Sequence, residues 1–335
     1  MLTALSALTA AAGVACCPTT LLGREDKKPS EAAVDRGLKF LAGKQLRTGG
    51  WFEKNHPTAM SSLAGMAFIC NGSTTTQGPW AKSIRSCVDF LLARSRKNGL
   101  ISLLDEDRYT YGHGFAMLFL SQVLGEEEDV DRRDELVEVL QRAVQFSVNS
   151  QTKDGGWGYV SGDNFDEGST TITQVQGLRG CRNAGLVVPK KVIDKARKYI
   201  YKCQNEDGGI SYSSGSRGSS RAPITAAALA ALYNAGDYTN KKIPPMWEYC
   251  KKNLHNVRSS DSNGWWFYSY LYYSQVVYRQ GPEEWEPFKK QLYRRILKDQ
   301  SGDGSWPGSY GKVYCSSMNL IMLQLDYGYL PIFQR

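Results

Sequence analysis

The sequence predicts an all-α fold, an (α/α)6 toroid of six helix-hairpin repeats. Three observations predict it: a glutamine–glycine–tryptophan pattern that recurs along the chain, two alternating kinds of helix, and a glycine that closes each unit. Four segments share a Gln, three intervening residues and a Gly-Gly-Trp-like triplet. They are Gln45 with Gly49-Gly50-Trp51, Gln151 with Gly155-Gly156-Trp157, Gln204 with Gly208-Gly209-Ile210, and Gln300 with Gly304-Ser305-Trp306. Weaker copies fall in the gaps, at Gly99-Leu100-Ile101 and Gly264-Trp265-Trp266. The intervals between successive first glycines are 50, 56, 53, 56 and 40 residues, which makes six units with a shortened last step.

Each unit reads as helix, turn, helix. Ahead of the triplet lies an amphipathic segment, with Val34, Leu38 and Leu41 in the first unit, Val192, Ala196, Tyr199 and Cys203 in the fourth, and Phe288, Leu292 and Ile296 in the sixth. Steps of three and four residues put these side chains on one helical face and charge on the other. After the triplet comes a helix that is small and apolar nearly all round, as in Thr58–Phe68 and Pro223–Tyr233. A helix without a polar face is buried on every side. A glycine follows each of these helices, at Gly72, Gly125, Gly185, Gly236, Gly281 and Gly328, where the left-handed conformation ends a helix. Six amphipathic helices outside and six apolar ones inside close into a ring; the competing arrangement is an open solenoid.

Composition narrows the function classes. With 19 tyrosines and 8 tryptophans the chain has the makings of a large packed core, and a disordered chain is excluded. The net charge of +8 is modest for 335 residues. Its clusters, Lys190, Lys191, Lys195, Arg197 and Lys198 or Lys289, Lys290, Arg294, Arg295 and Lys298, fit solvated outer helix faces, and no nucleic-acid-binding motif accompanies them. Nucleic acid is therefore not expected as a partner. The eight cysteines are scattered without a CxxC pair, so neither a disulfide framework nor a metal site is expected.

Three stretches divide the chain: residues 1–22 as a signal segment, 23–30 as a polar linker and 31–335 as one toroid domain. Met1–Leu22 carries no charge and ends abruptly at Arg24-Glu-Asp-Lys-Lys-Pro-Ser30, with a small-residue cleavage site at Gly13-Val-Ala15 before Cys16. It is too short and too rich in small residues for a transmembrane span. Export to the periplasm or the exterior is the expectation, although the usual basic start of a leader is missing. Gly13 replaces the bulky residue of a lipoprotein signal.

At its Gln-x-x-x-Gly-Gly-Trp segments, over residues 31–330, the chain resembles the prenyltransferase and squalene-oxidase repeat superfamily. Its last unit, Val313–Pro331, and the segment Trp266–Tyr270 are most similar to exported members from planctomycete-type bacteria. The resemblance implies that Gln45, Trp51, Gln151, Trp157, Gln204, Gln300 and Trp306 tie the outer layer together. It also supplies chemistries to look for. The acidic Asp-x-Asp-Asp motif of class II terpene cyclases has its nearest match at Asp105-Glu-Asp107-Arg108, where the final arginine favours an ionised Asp107, the wrong state for protonating an alkene. The prenyltransferase zinc pattern and the thioester motif of complement-like proteins are absent, and Tyr111-Gly-His113-Gly114 matches only part of a lanthionine-cyclase motif. No metal and no cofactor are expected.

Candidate site residues lie at the starts of the inner helices. Asp105, Asp107 and His113 are the catalytic candidates, His113 being flanked by glycines that would open it to a ligand. Tyr111, Trp266, Tyr268, Tyr270, Tyr273 and Tyr314 would supply aromatic faces, and Thr171, Thr225 and Ser317 hydroxyls. Two functions follow. One is a non-catalytic toroid that binds an apolar or glycan ligand, or a protein partner. The other is an enzyme acting in the central cavity on an isoprenoid, as cyclase or transferase, or on a polysaccharide, as lyase.

Overall fold

The computed structural model describes residues 28–215, 218–257, 265–330 and 332, so the signal-segment expectation lies outside the described residues. The described chain is all helical, without strands, and forms the expected toroid. Six outer helices, α1 (Pro29–Lys44), α3 (Ala81–Leu92), α5 (Val130–Ser150), α7 (Lys190–Lys202), α9 (Ile243–Leu254) and α11 (Pro282–Lys298), alternate with six inner ones. The inner set is α2 (Pro57–Ile69), α4 (Tyr109–Glu126), α6 (Gly168–Asn183), α8 (Ala222–Asn234), α10 (Trp265–Gln280) and α12 (Lys312–Leu323).

Burial separates the two sets as their patterning requires. Every residue of α2 is buried, whereas α7 buries Val192, Ile193, Ala196, Tyr199 and Ile200 and leaves its lysines to solvent. The inner helices pack in sequence from α2 round to α12, and α12 packs back on α2. The ring is closed. Small residues allow its tightest contact, between α4 and α6: a Cβ added at Gly114 would meet the Thr173 backbone at 2.6 Å, and one at Gly177 the Gly114 carbonyl at 2.6 Å.

The repeated residues hold the layers in register. Each motif glutamine donates from Nε2 to two carbonyls, one in its own turn and one at the start of the next outer helix or just before it. Gln45 bonds Gly49 O and Ser83 O, Gln151 bonds Gly155 O and Val192 O, and Gln204 bonds Gly208 O and Lys242 O. Gln300 bonds Gly304 O and, across the closure, Ala33 O of α1, each at 2.9 Å. The motif indoles of Trp51, Trp157 and Trp306, all buried, donate back to Leu41 O, Ser147 O and Ile296 O of the preceding outer helix.

Two expectations need correction. Gly125 lies inside α4, which runs one residue further, whereas Gly72, Gly185, Gly236, Gly281 and Gly328 have the positive φ that follows a helix end. In the fifth unit Trp265 and Trp266 lie in α10 rather than in a turn; Gly264 lies outside the described residues.

The first glycines of the five described triplets, Gly49, Gly99, Gly155, Gly208 and Gly304, combine a left-handed φ with close backbone contact. Gly155 has φ +101°, and a Cβ there would lie 2.6 Å from Lys195 O, whereas Gly162, at φ +88°, has open space around it. Gly162→Ala should cost about 1–2 kcal/mol for the φ alone. Gly155→Ala should cost more, about 3 kcal/mol or above, because a helix must also move. Urea unfolding of both variants compares them, and equal costs would mean that the turn does not seat on α7.

Candidate functional site

The inner helices start at one end of the ring, and there they enclose a cavity of about 300 Å³. This volume is at the lower end for small-molecule sites, roughly 300–1,000 Å³. Its walls are aromatic: Tyr111 from α4, Trp265 and Tyr268 from α10, Tyr314 from α12, and Tyr310 ahead of α12. Trp265 meets Tyr268 edge-on at 6.2 Å, and Tyr310 lies 5.4 Å from Tyr314. Burial, and the negative charge that neighbouring phenols and Glu167 would add, push the Tyr111 and Tyr268 hydroxyls well above the usual range, so both stay neutral donors. The hydroxyls of Tyr268 and of Tyr272 beside it are buried without a hydrogen-bond partner among the described residues.

The mouth is basic. The Arg108 guanidinium lies 4.3 Å over the Tyr159 ring, Arg221 lies 4.7 Å over the Tyr212 ring, and the two tyrosine hydroxyls hydrogen-bond to each other. Among the described residues neither arginine is in an ion pair and no carboxylate lines the cavity. Glu167 is close by but occupied. It caps α6, accepts hydrogen bonds from the Ser169 and Thr170 backbone and the Ser169 hydroxyl, and burial raises its pKa.

His56 completes the rim. It is the single non-glycine residue with positive φ among the described residues, at φ 65° and ψ 51°, and its ring meets Tyr111 edge-on at 5.8 Å. Its Nδ1 is buried without a partner among the described residues. Burial, then the nearby Arg108 charge, lower its pKa, against a smaller opposing effect of Asp107. Left-handed non-glycine residues carry strain and collect at functional sites. The sequence reads His56 only as a turn residue.

The remaining candidates separate into two groups. Tyr111, Tyr268 and Tyr314 line the cavity. Asp105 and Asp107 do not; they are exposed along an adjoining groove of about 1020 Å³. Between them Glu106 turns inward, accepting from the Thr58 hydroxyl at 2.6 Å, with its other carboxyl oxygen unpartnered and its pKa raised by burial. Trp266 faces a different small cavity beside Trp306, and Tyr270 and Tyr273 are core residues bonded to Leu254 O and His255 Nδ1.

His113 is placed otherwise than expected. It is fully buried; Nδ1 accepts from the Ile101 amide at 3.1 Å and Nε2 faces Ala143 O at 3.2 Å. Its neighbours explain the role. Ser61, Thr171, Thr225 and Ser316 accept in the same way from the amides of Trp51, Trp157, Ile210 and Trp306. His113 therefore fills the slot that anchors each turn to its inner helix, as do Thr171 and Thr225, and the equivalent in the last unit is Ser316. Ser317 instead donates to Val313 O within α12.

The model of the prenyltransferase alpha-alpha toroid domain matches residues 15–179 and 176–264. The chain belongs to this family. Among solved structures, this toroid is similar to a variant of the type II terpene cyclase MstE from Scytonema in complex with its product merosterolic acid A. That match has 12% identity and TM-score 0.64, covering 90% of this chain and 98% of that one. It is also similar to the α-1,6-mannanase GH76A of Salegentibacter sp., at 8% identity and TM-score 0.67 over 90% of this chain and 100% of that one. A D-mannose isomerase matches at 12% identity and TM-score 0.62, over 89% of this chain and 97% of the other. At these identities the likeness is one of fold. No curated protein sequence matches the chain.

Burial depresses the His113 pKa to about 4, so the folded protein keeps this imidazole neutral. The unfolded chain takes up its proton near pH 6.5, so stability from this residue is full above that pH. It declines as pH falls from 6.5 towards 4, by about 3 kcal/mol in all. Urea unfolding from pH 4 to 7 should show that slope in the wild type and lose it in His113→Gln, which is also destabilised at neutral pH. Parallel profiles would contradict the placement.

Proposed function

We propose that this toroid is a non-catalytic binding protein for a small ligand held in the cavity at the inner-helix starts. The observation that carries this reading is the cavity lining itself. Aromatic rings and neutral phenols form its walls, arginines its mouth, and among the described residues no carboxylate faces into it. A proton-transfer enzyme needs an acid or base within reach of the bound molecule, and among the described residues the lining offers His56 and neutral phenols rather than the expected Asp105, Asp107 and His113. Asp105 and Asp107 open on the neighbouring groove instead, and the imidazole of His113 is occupied on both nitrogens. The same scaffold serves a terpene cyclase, a mannanase and a mannose isomerase, so the fold does not decide between binding and catalysis. Among the described residues no helix is long and apolar enough to cross a membrane, and no group of His, Cys, Asp and Glu is placed to hold a metal ion.

Mass spectrometry of small molecules retained by the purified protein tests the reading. A molecule should be recovered unchanged after incubation, and Tyr268→Ala with Tyr314→Ala should weaken its binding about tenfold or more through lost aromatic burial. Conversion of the retained molecule by the wild type, whether or not Asp107→Asn abolishes it, would overturn it.

A further inference from the structure

The cavity's polar groups narrow the ligand beyond its size. Deep in the site the Tyr268 hydroxyl is buried without a partner among the described residues, and Tyr272 behind it is in the same state. A phenol kept neutral by burial offers an O–H donor. A buried donor left without a partner costs free energy, which a ligand oxygen able to reach it would recover. A hydrocarbon chain brings none. At the other end, two guanidinium groups are held in place by stacking on a hydrogen-bonded tyrosine pair, and neither is in an ion pair among the described residues. Cations fixed at a concave aromatic mouth favour a negative group on whatever enters. The buried carboxylate of Glu167 already accepts from Ser169 and Thr170, and Asp107 lines the groove rather than the cavity.

We propose that the cavity takes a small oxygen-rich anion, a sugar acid or sugar phosphate. Its charged group lies against Arg108 and Arg221, and its ring oxygens reach the phenols of Tyr268, Tyr111 and Tyr314. The indole of Trp265 offers a flat face with negative potential, onto which the C–H groups of a pyranose pack. His56, at the rim with a free Nδ1, accepts a hydroxyl proton in a hydrogen bond. This assignment rests on the cavity-binding reading and specifies its ligand.

Isothermal titration of the full chain with three sets of probes tests it. The sets are hexuronates with hexose 6-phosphates, the corresponding neutral hexoses, and geraniol with geranyl phosphate. Charged sugars should bind at least about tenfold more tightly than neutral ones. Arg108→Gln with Arg221→Gln, at two exposed positions and with circular dichroism as the control for folding, should remove that advantage. Tyr268→Phe should weaken the sugars several-fold and leave geranyl phosphate unaffected. Binding of geraniol or geranyl phosphate without any sugar would overturn the ligand class while leaving cavity binding in place. Absence of binding by every charged sugar, or binding indifferent to both arginines, would overturn the assignment.

Discussion

The structure depends on one side-chain amide repeated around a ring. A glutamine at the end of an outer helix has two N–H donors, and here they bridge a carbonyl of its own turn and a carbonyl of the next outer helix. That pair of bonds sets the distance between neighbouring units. The adjacent glycine lets the turn approach the next helix closely enough for the bridge to form. Because Gln300 makes the same bridge to Ala33, the first and last units are neighbours on the same terms as the units joined by Gln45, Gln151 and Gln204.

The second constraint is the anchor between each turn and its inner helix. A buried backbone amide must have an acceptor, and five units supply one from the first turns of the inner helix. Serine, threonine and histidine all do this. The slot fixes where each inner helix begins, so the side chains near it converge at one end of the ring. The cavity is the result. Residues that satisfy the slot are used up by it, and those beside it, such as Tyr111 and Tyr314, face the ligand space.

This division explains what the sequence made legible. The ring, the alternation of helix types and the structural role of the glutamines and tryptophans follow from a period that recurs through the chain. The anchor slot does not, because its distance from the triplet varies: Trp51 to Ser61 spans 10 residues, Ile101 to His113 12, and Ile210 to Thr225 15. Without a fixed spacing, His113 and Thr225 read as accessible polar groups. Tyr159, Tyr212 and Arg221 were missed for a related reason, since they lie in these unequal loops, where no periodicity marks the inward side. The stacking of each arginine on its own tyrosine is a tertiary fact with no trace in the pattern. Glu106 was hidden between two aspartates that resemble a known motif, and only the fold shows that the middle carboxylate is the buried one.

The central claim is that the glutamine bridges make a ring without ends. Native-state hydrogen exchange compares the amides of α1 and α12 with those of α6, on the far side of the toroid. A closed ring predicts protection of α1 and α12 at the level of α6 in the wild type, falling at α1 and α12 first in Gln300→Ala. Early exchange at α1 and α12 in the wild type, unaffected by that substitution, would mean an open solenoid with fraying ends and would contradict the account.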